Sequence, residues 1–469
     1  MMKEYDFVVI GGGSAGFSGA RAAVNAGLRT LVIEGAEPLG GLCILRGCMP
    51  GKALIACAER MMAIREAGEF GIQAGALHFD AKKIQARKKG LIGEFAEFRQ
   101  EQLLDGQFDL LRGSAKLIGE NEIEIVHATG QATERIRART ILVSTGSYVP
   151  KPPVPGLLEI GFWTSDEALD VEAIPASLIV LGAGAVALEL AYFFRAFGTE
   201  VTVLQRGPRI LSEADDDVAL SLQSALERMG IRIITSVEVF QAGADGGHKK
   251  ISYRLRDEPS KDLSVSAEEV LFAWGRWPAT EGLGLHEIGV TLDKGRVLAK
   301  RTQQTSVPHI FSAGDVCGPY EVVHLAVQQG EVAGRNAARL LGKDSTPMEE
   351  VDYRLRCFGL FTHPEAAWVG MTEKDAEASG HAIKVGTHPF ADHGKSMVLG
   401  ATDGFVKIIR SEETGQVVGA ACVGPEAVEL IHVPLMAMNF QATPEDMLRC
   451  PLYHPTLSEI WSYPLENVL

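Results

Sequence analysis

Apolar and small residues follow the same order at two places in the chain. YDFVVI, residues 5–10, is a continuous apolar run that fits a buried parallel strand. Glycines follow at 11, 13 and 16, and an alanine-rich stretch predicts a helix over about 14–27. LRTLVIE, 28–34, predicts the next strand. Residues 177–206, SLIVLGAGAVALELAYFFRAFGTEVTVLQR, repeat strand, glycine turn, helix and strand. Two such βαβ units predict two nucleotide-binding domains. PKPPVPG, 150–156, is proline-rich and marks a connection between them. From about 348, VGMTEKDA, GFVKIIR, GQVVGAACVG and a helix over about 425–440 mix strand and helix patterns without a dinucleotide turn. Residues 80–105 carry apolar positions at helical spacing and predict one long surface helix, and GADGGHKK predicts a hairpin at 242–250.

Composition changes this picture little. Length predicts two to four domains in a chain of 469 residues, and 46% hydrophobic against 22% charged residues is an ordinary globular balance. A formal charge of -15 argues against nucleic acid as a partner. No continuous apolar run is long enough for a bilayer, so no membrane partner is expected. MMKEYDFVVI leads straight into a strand, and seven cysteines do not make a disulfide scaffold. A cytoplasmic setting is expected. Cys57, Cys317, Cys357, Cys422 and Cys450 lack metal-ligand spacing and are expected to be buried small apolar groups, with no metal site.

Chemistry enters at four places. Gly11, Gly13 and Gly16 form G-x-G-x-x-G between strand and helix, where backbone can approach a pyrophosphate. Glu34 ends the second strand, placed for ribose hydroxyls. The second turn is Gly182, Gly184 and Ala187, and its strand ends in Gln205 and Arg206 with Arg209 nearby. An arginine there suits a 2′-phosphate and leans toward NADPH; the alternative is ordinary solvated loop charge.

Cys43 and Cys48 lie in GGLCILRGCMPGKAL. In a straight helix, positions five apart stand roughly 8–9 Å apart at Cα, beyond the reach of a disulfide. A bonded pair must therefore occupy a distorted first turn, with Gly47 supplying freedom and Pro50 early in the helix. Cys48 near a helix N-terminus is placed to favour a thiolate. The alternative is two unrelated buried cysteines. His454 precedes Pro455 in HPTLSE, and Glu459 is expected one turn into a helix that the proline opens, where a carboxylate holds an imidazole. Trp274 and Trp277 flank Gly275-Arg276 and fit either nucleotide cover or packing.

This ordered set resembles the class I flavin disulfide reductases, the pyridine nucleotide-disulfide oxidoreductases, and among them most the dihydrolipoamide dehydrogenases. ILVSTGSYVPKPPVPG resembles the family's crossover, with Thr145 and Gly146, and TSVPHIFSAGDVCG its second FAD motif, with Asp315. The resemblance implies an α/β fold of two Rossmann-like domains of three-layer ββα type with a C-terminal α+β dimerisation domain. Expected spans are 1–147 and 273–347 for FAD, 148–272 for NAD(P), and 348–469 for dimerisation. It implies FAD held by Gly11, Gly13, Ser14, Ala15, Gly16, Glu34, Gly41, Thr145, Gly146, Asp315, Leu325 and Ala326, with a helix from His324 aimed at the flavin. It implies NAD(P)H, with NADPH slightly favoured, held by Gly182, Gly184, Ala187, Gln205, Arg206 and Gly275.

It further implies a redox disulfide between Cys43 and Cys48, an ion pair of Lys52 and Glu189 beside the flavin, and a His454–Glu459 dyad supplied across a homodimer. The implied reaction passes electrons between nicotinamide, FAD, the cysteine pair and an external dithiol or disulfide, lipoyl-type or another small molecule. The alternatives are an NADPH-dependent reductase of a glutathione-like disulfide, and direct reduction of metal ions or quinones by the flavin. The chain departs from the family pattern at Leu42, Ile44, Leu45, Arg46 and Gly51, at Leu452-Tyr453 before the histidine, and in AWGRWPAT. Those changes bear on the substrate more than on the redox centre.

Overall fold

The computed structural model describes residues 2–128, 130 and 133–469. The chain divides into two compact units. The first comprises Met1–Pro50, Lys89–Lys151 and Gly275–Asp352. The second comprises Gly51–Lys88, Pro152–Trp274 and Tyr353–Leu469. Residues 51–88, expected in the first domain, pack with the second unit. Leu54, Ile55, Ala58 and Met61 join the core that holds Leu188, Tyr192 and Phe193.

In the first unit, β1 (Lys3–Ile10) is followed by α1 (Ser14–Asn25) and β2 (Thr30–Glu34). A short α2 (Gly41–Leu45) follows; α3 (Cys48–Glu66) and the first part of α4 (Ala81–Leu104) belong mostly to the second unit, and the chain returns with β3 (Asp109–Leu117), β4 (Glu122–His127) and β5 (Thr133–Val143). β1 lies between β2 and β5, all parallel, with β3 beyond β2 and Ile310–Ser312 beyond β5. The far halves of β3 and β5 leave this layer and pair antiparallel with β4. One face of the parallel sheet buries Tyr5, Val8, Ile10 and Ile33 against that meander. The other buries Phe7, Val9 and Val32 against α1 and the helix Val323–Leu340. Near-continuous apolar strands are what a sheet covered on both faces requires. The result is the expected three-layer ββα arrangement.

The second unit carries a parallel sheet ordered 269–272, 177–181, 200–204, 232–234, with the helix Ala185–Ala196 crossing between its central strands. A three-stranded meander, 237–267, contains the expected hairpin, turning at Gly246-Gly247. The C-terminal part is a five-stranded antiparallel sheet with helices, the expected α+β part. Lys407, fully buried, donates to Asp215, Asp217 and Glu373, whose carboxylates converge on it from both parts of this unit.

Three expectations need correction. The helix expected over 425–440 is two, Ala427–Leu430 and His432–Asn439. Pro434 has no N–H for the Leu430 carbonyl, which instead accepts from the Trp461 indole at 3.1 Å. Of the five cysteines expected to be buried, Cys317 and Cys422 are buried, Cys57 and Cys357 are only partly buried, and Cys450 is exposed. The segment Gly41–Phe70 is long and apolar enough by length and composition to cross a membrane, although no continuous run shows it. Its Ala, Ile and Met are interspersed with Lys52, Glu59, Arg60 and Arg65.

Candidate active site

The carboxyl ends of the parallel strands in the first unit open on a cavity of about 610 Å³. Gly11, Gly13, Ser14, Ala15, Glu34, Gly41, Cys43, Cys48, Thr145, Gly146, Asp315 and Ala326 all line it. Most first-unit residues expected to hold FAD are thus brought together; Gly16 and Leu325 lie behind, as packing positions. Gly11 takes φ +100°, and a side chain there would lie 2.5 Å from the Ser144 carbonyl oxygen. A methyl at Gly16 would stand 1.8 Å from the Gly11 carbonyl oxygen, so helix and turn meet backbone to backbone. Gly13, the N-cap of α1, faces open space where a side chain would go, at the end of a helix that favours an anion.

The rim is built by side chains that tie one loop to another. Glu34 accepts from Gly12 N and from Ala36 N, each at 2.6 Å. Its carboxylate therefore braces the turn as well as lining the cavity. Asp315 accepts from Ser147 Oγ at 2.5 Å, and Arg276 donates to both Ser147 Oγ and its carbonyl at 2.8 Å. Thr145 Oγ1 donates to the Ala279 carbonyl at 2.6 Å. The helix expected from His324 starts one residue earlier, at Val323, and has no acid in its first turn. Its positive end is thus uncompensated by its own side chains.

The cysteines occupy a broken helix. Cys43 is in α2, and Cys48 is the first residue of α3. Gly47 permits the break through closeness, not unusual φ: a side chain there would lie 3.0 Å from the Leu42 carbonyl oxygen and 3.2 Å from Cys43 Cα. Cys43 and Cys48 are neighbours across this break, close enough for one side chain to hydrogen-bond the other. That bond, and then burial, push the Cys43 thiol well above its ordinary range, while the Arg99 guanidinium pulls the other way. Arg99 lies 4.1 Å over the Phe17 ring and Arg21 5.6 Å over the same ring.

The second unit holds the remaining positions. Lys52 Nζ donates to both oxygens of Glu189 at 2.7 Å and lies 4.3 Å over Phe361, whose N–H also reaches Glu189 at 3.1 Å. Gly182 takes φ +112°, Gly184 is open, and Ala187 is buried. Gln205 donates to the Arg209 carbonyl, so its side chain braces the loop. Arg209 is committed to the carbonyls of Ser212 and Ala214 and to Asp216, which removes it as a phosphate ligand. Arg206 is exposed and lies 4.3 Å over the Trp274 ring. Gly275 takes φ +94°, and Trp277 is exposed.

His454 Nδ1 is 2.8 Å from Glu459 Oε2, as expected, but Pro455 opens no helix. The His454–Pro455 bond is cis, and a short 3₁₀ turn begins only at Ser458. The contacts of Phe361, Arg276 and Ser147 were not legible from the sequence because each has a partner distant in the chain. The only local hint was the RW pair beside Gly275.

Comparison with known proteins agrees with this arrangement. Residues 5–330 match the pyridine nucleotide-disulphide oxidoreductase family, and residues 358–463 match its dimerisation domain. A dihydrolipoyl dehydrogenase of Bacillus subtilis is 33% identical over 468 residues, covering 98% of this chain and 97% of that protein. Another, from Thermus scotoductus, is 35% identical over 462 residues, covering 98% and 96%. The solved structure of LpdA from Mycobacterium tuberculosis matches with a TM-score of 0.87 at 25% identity over 100% of both chains.

Proposed function

Because this chain belongs to the pyridine nucleotide-disulphide oxidoreductases, with FAD and NAD(P)H as cofactors, we propose that Cys43 and Cys48 are its working thiols and a lipoyl-type dithiol–disulfide couple its substrate. The observation that carries this is that Cys43 and Cys48 lie side by side in the lining of the same cavity as the first glycine turn. The cavity's volume and its glycine floor fit an extended dinucleotide. When bound there, FAD supplies a two-electron link between NAD(P)H and the cysteine pair.

The residues divide the rest of the work. The Cys48 side chain and burial disfavour the Cys43 thiolate, so its ionisation calls for a base. The other nitrogen of the His454 ring, Nε2, takes that proton, and Glu459 at Nδ1 keeps the ring oriented and balances its charge. The Cys43 thiolate attacks one substrate sulfur and breaks the S–S bond. The departing sulfur takes the proton back from His454. Cys48, at the N-terminus of α3, loses its proton to solvent and attacks Cys43 Sγ. The second substrate sulfur leaves and is protonated, and a Cys43–Cys48 disulfide remains. Two electrons have moved from the pair to the substrate, and the reverse sequence oxidises a dithiol.

The chain carries the family's dimerisation domain and is a homodimer. We place His454 of the partner subunit at Cys43, so one active site needs both chains. The Lys52–Glu189 pair fixes a cation one turn beyond Cys48 on the same helix. Preference for NADPH rests on Arg206 alone, since Arg209 is committed. The thiol usage supports a cytoplasmic setting.

His454→Ala tests the assignment. Flavin reduction by NAD(P)H should keep its rate while thiol–disulfide exchange with lipoamide slows at least 100-fold, the usual scale of a lost acid–base group. Equal loss in both half-reactions rejects the role. Cys43→Ser should abolish lipoamide turnover; retained turnover would favour direct reduction of acceptors by the flavin.

A further inference from the structure

Glu459 has two oxygens, and the dyad uses one. Oε2 faces His454; Oε1 lies 3.6 Å from Nε2 of a second histidine, His393. His393 sits in a tight turn between the 3₁₀ turn Phe390–Asp392 and the helix Gly394–Val398. It is fully buried, whereas the His454 side chain is 81% exposed. Its Nδ1 is 2.8 Å from Ser396 Oγ, itself fully buried. Its Nε2 is buried and makes no hydrogen bond among the described residues.

These contacts select one tautomer. If Ser396 donates its hydroxyl proton to Nδ1, the ring proton is on Nε2 and points at Glu459. The opposite tautomer would set a bare Nε2 lone pair against a carboxylate. The groups facing His393 are few. Tyr463 presents its ring edge, with centroids 6.2 Å apart, and His388 stacks on the far side of Tyr463 at 4.1 Å. Burial pushes the His393 imidazole down, and His388 and His454 push it the same way against Glu459. A neutral donor behind the carboxylate steadies it without neutralising it. A charged one would compete with His454 for the same negative charge.

We propose that His393 is a positioning residue for the thiol–disulfide step: its Nε2–H holds Glu459 Oε1, so that Oε2 stays on His454, and the dyad is a triad of buried His393, Glu459 and exposed His454. The gap of 3.6 Å is beyond a hydrogen bond, and the proposal requires the carboxylate to turn enough to close it. The proposal rests on the reading of His454 and Glu459 as the acid–base pair.

His393→Ala and His393→Gln in the FAD-loaded dimer test it, with Ser396→Ala as a milder variant that loosens the tautomer without opening a cavity. His393→Ala should lower kcat for lipoamide reduction about three- to tenfold and leave KM and flavin reduction by NAD(P)H unchanged. It should also move the pH profile of kcat, and His393→Gln, which keeps a donor, should restore most of both. Added to Glu459→Gln, His393→Ala should cost almost nothing further, because both act through one group. Additive losses, an unmoved pH profile, or a parallel fall in flavin reduction would overturn the proposal.

A readout without turnover keeps it separable from the acid–base assignment. The rate at which diethylpyrocarbonate modifies His454, followed by peptide mass against pH, should shift its midpoint in His393→Ala and in Ser396→Ala. If His454→Ala keeps full exchange activity, the acid–base role falls, while an unshifted midpoint alone removes His393 from the triad.

Discussion

The two glycine turns begin alike and end differently. Gly11 and Gly182 both take positive φ, and each has a carbonyl oxygen where a side chain would go, Ser144 at 2.5 Å and Ala273 at 2.4 Å. At the third position they part. Gly16 lies against the backbone of its own turn, while Ala187 carries a methyl into the apolar core. The strand ends differ as well. Glu34 folds back to hold two backbone N–H groups of its turn. Arg206 turns outward over Trp274. The first turn is thus over-determined by backbone contacts. It is also joined to the redox loop, since a side chain at Gly41 would lie 2.9 Å from Gly13 Cα. The second keeps the backbone contact only at its first glycine and packs by side chain at its third position, with an exposed arginine at the strand end in place of the bracing acid. That suits a cofactor kept through turnover in the first case and a coenzyme exchanged on every cycle in the second.

The largest expected effect lies at the tightest contact. Gly16→Ala puts a methyl 1.8 Å from the Gly11 carbonyl oxygen, which α1 can relieve only by moving off the turn. A cost of about 3 kcal/mol or more is expected at so close an overlap. The purified variant should contain little or no flavin by its visible absorbance. A full flavin content would show that the first turn is no more constrained than the second.

Glu34→Ala should come next. It leaves the N–H groups of Gly12 and Ala36 without their acceptor, at about 1–3 kcal/mol each if water does not replace it. Flavin retention on dilution, read by the fluorescence of released flavin, should weaken about 10- to 100-fold, with the KM for NAD(P)H unchanged. Arg206→Ala is the counterpart at the second turn. It should raise the KM for NADPH about three- to tenfold, that for NADH much less, and leave flavin content full. Equal effects on both coenzymes would remove the lean toward NADPH.

Much of this was legible from the residues because it is local. Strand, glycine turn and helix are neighbours in the chain, so hydrophobic runs and glycine spacing place them. The break between Cys43 and Cys48 follows from helix geometry. What stayed hidden depends on contacts across many residues. Arg209 looks like Arg206 in a string of letters; only the folded loop shows that its guanidinium is taken by Ser212, Ala214 and Asp216. Glu34 was legible as an acid at a strand end, but not as a brace for Gly12. His393 carries no pattern of its own and gains meaning only 3.6 Å from Glu459. The helix expected through Pro434 failed for a local reason, a proline inside an apolar pattern, and its repair by Trp461 is remote.

The smallest expected effect separates the two turns most cleanly. Ala187→Gly gives the second turn the same G-x-G-x-x-G pattern as the first. If sequence pattern alone determined the turn, the variant should bind dinucleotide as the first turn does. The structure argues otherwise. The Ala187 methyl is fully buried in the core of the second unit and makes no part of the turn's backbone contact. Removing it costs about 1 kcal/mol in helix propensity and a similar amount in lost burial. The melting temperature should fall by roughly 2–4 °C, while the KM for either coenzyme changes less than about twofold. A several-fold change in KM would mean that the methyl shapes the nicotinamide site itself, and that the two turns differ in binding geometry and not only in how their helices are packed.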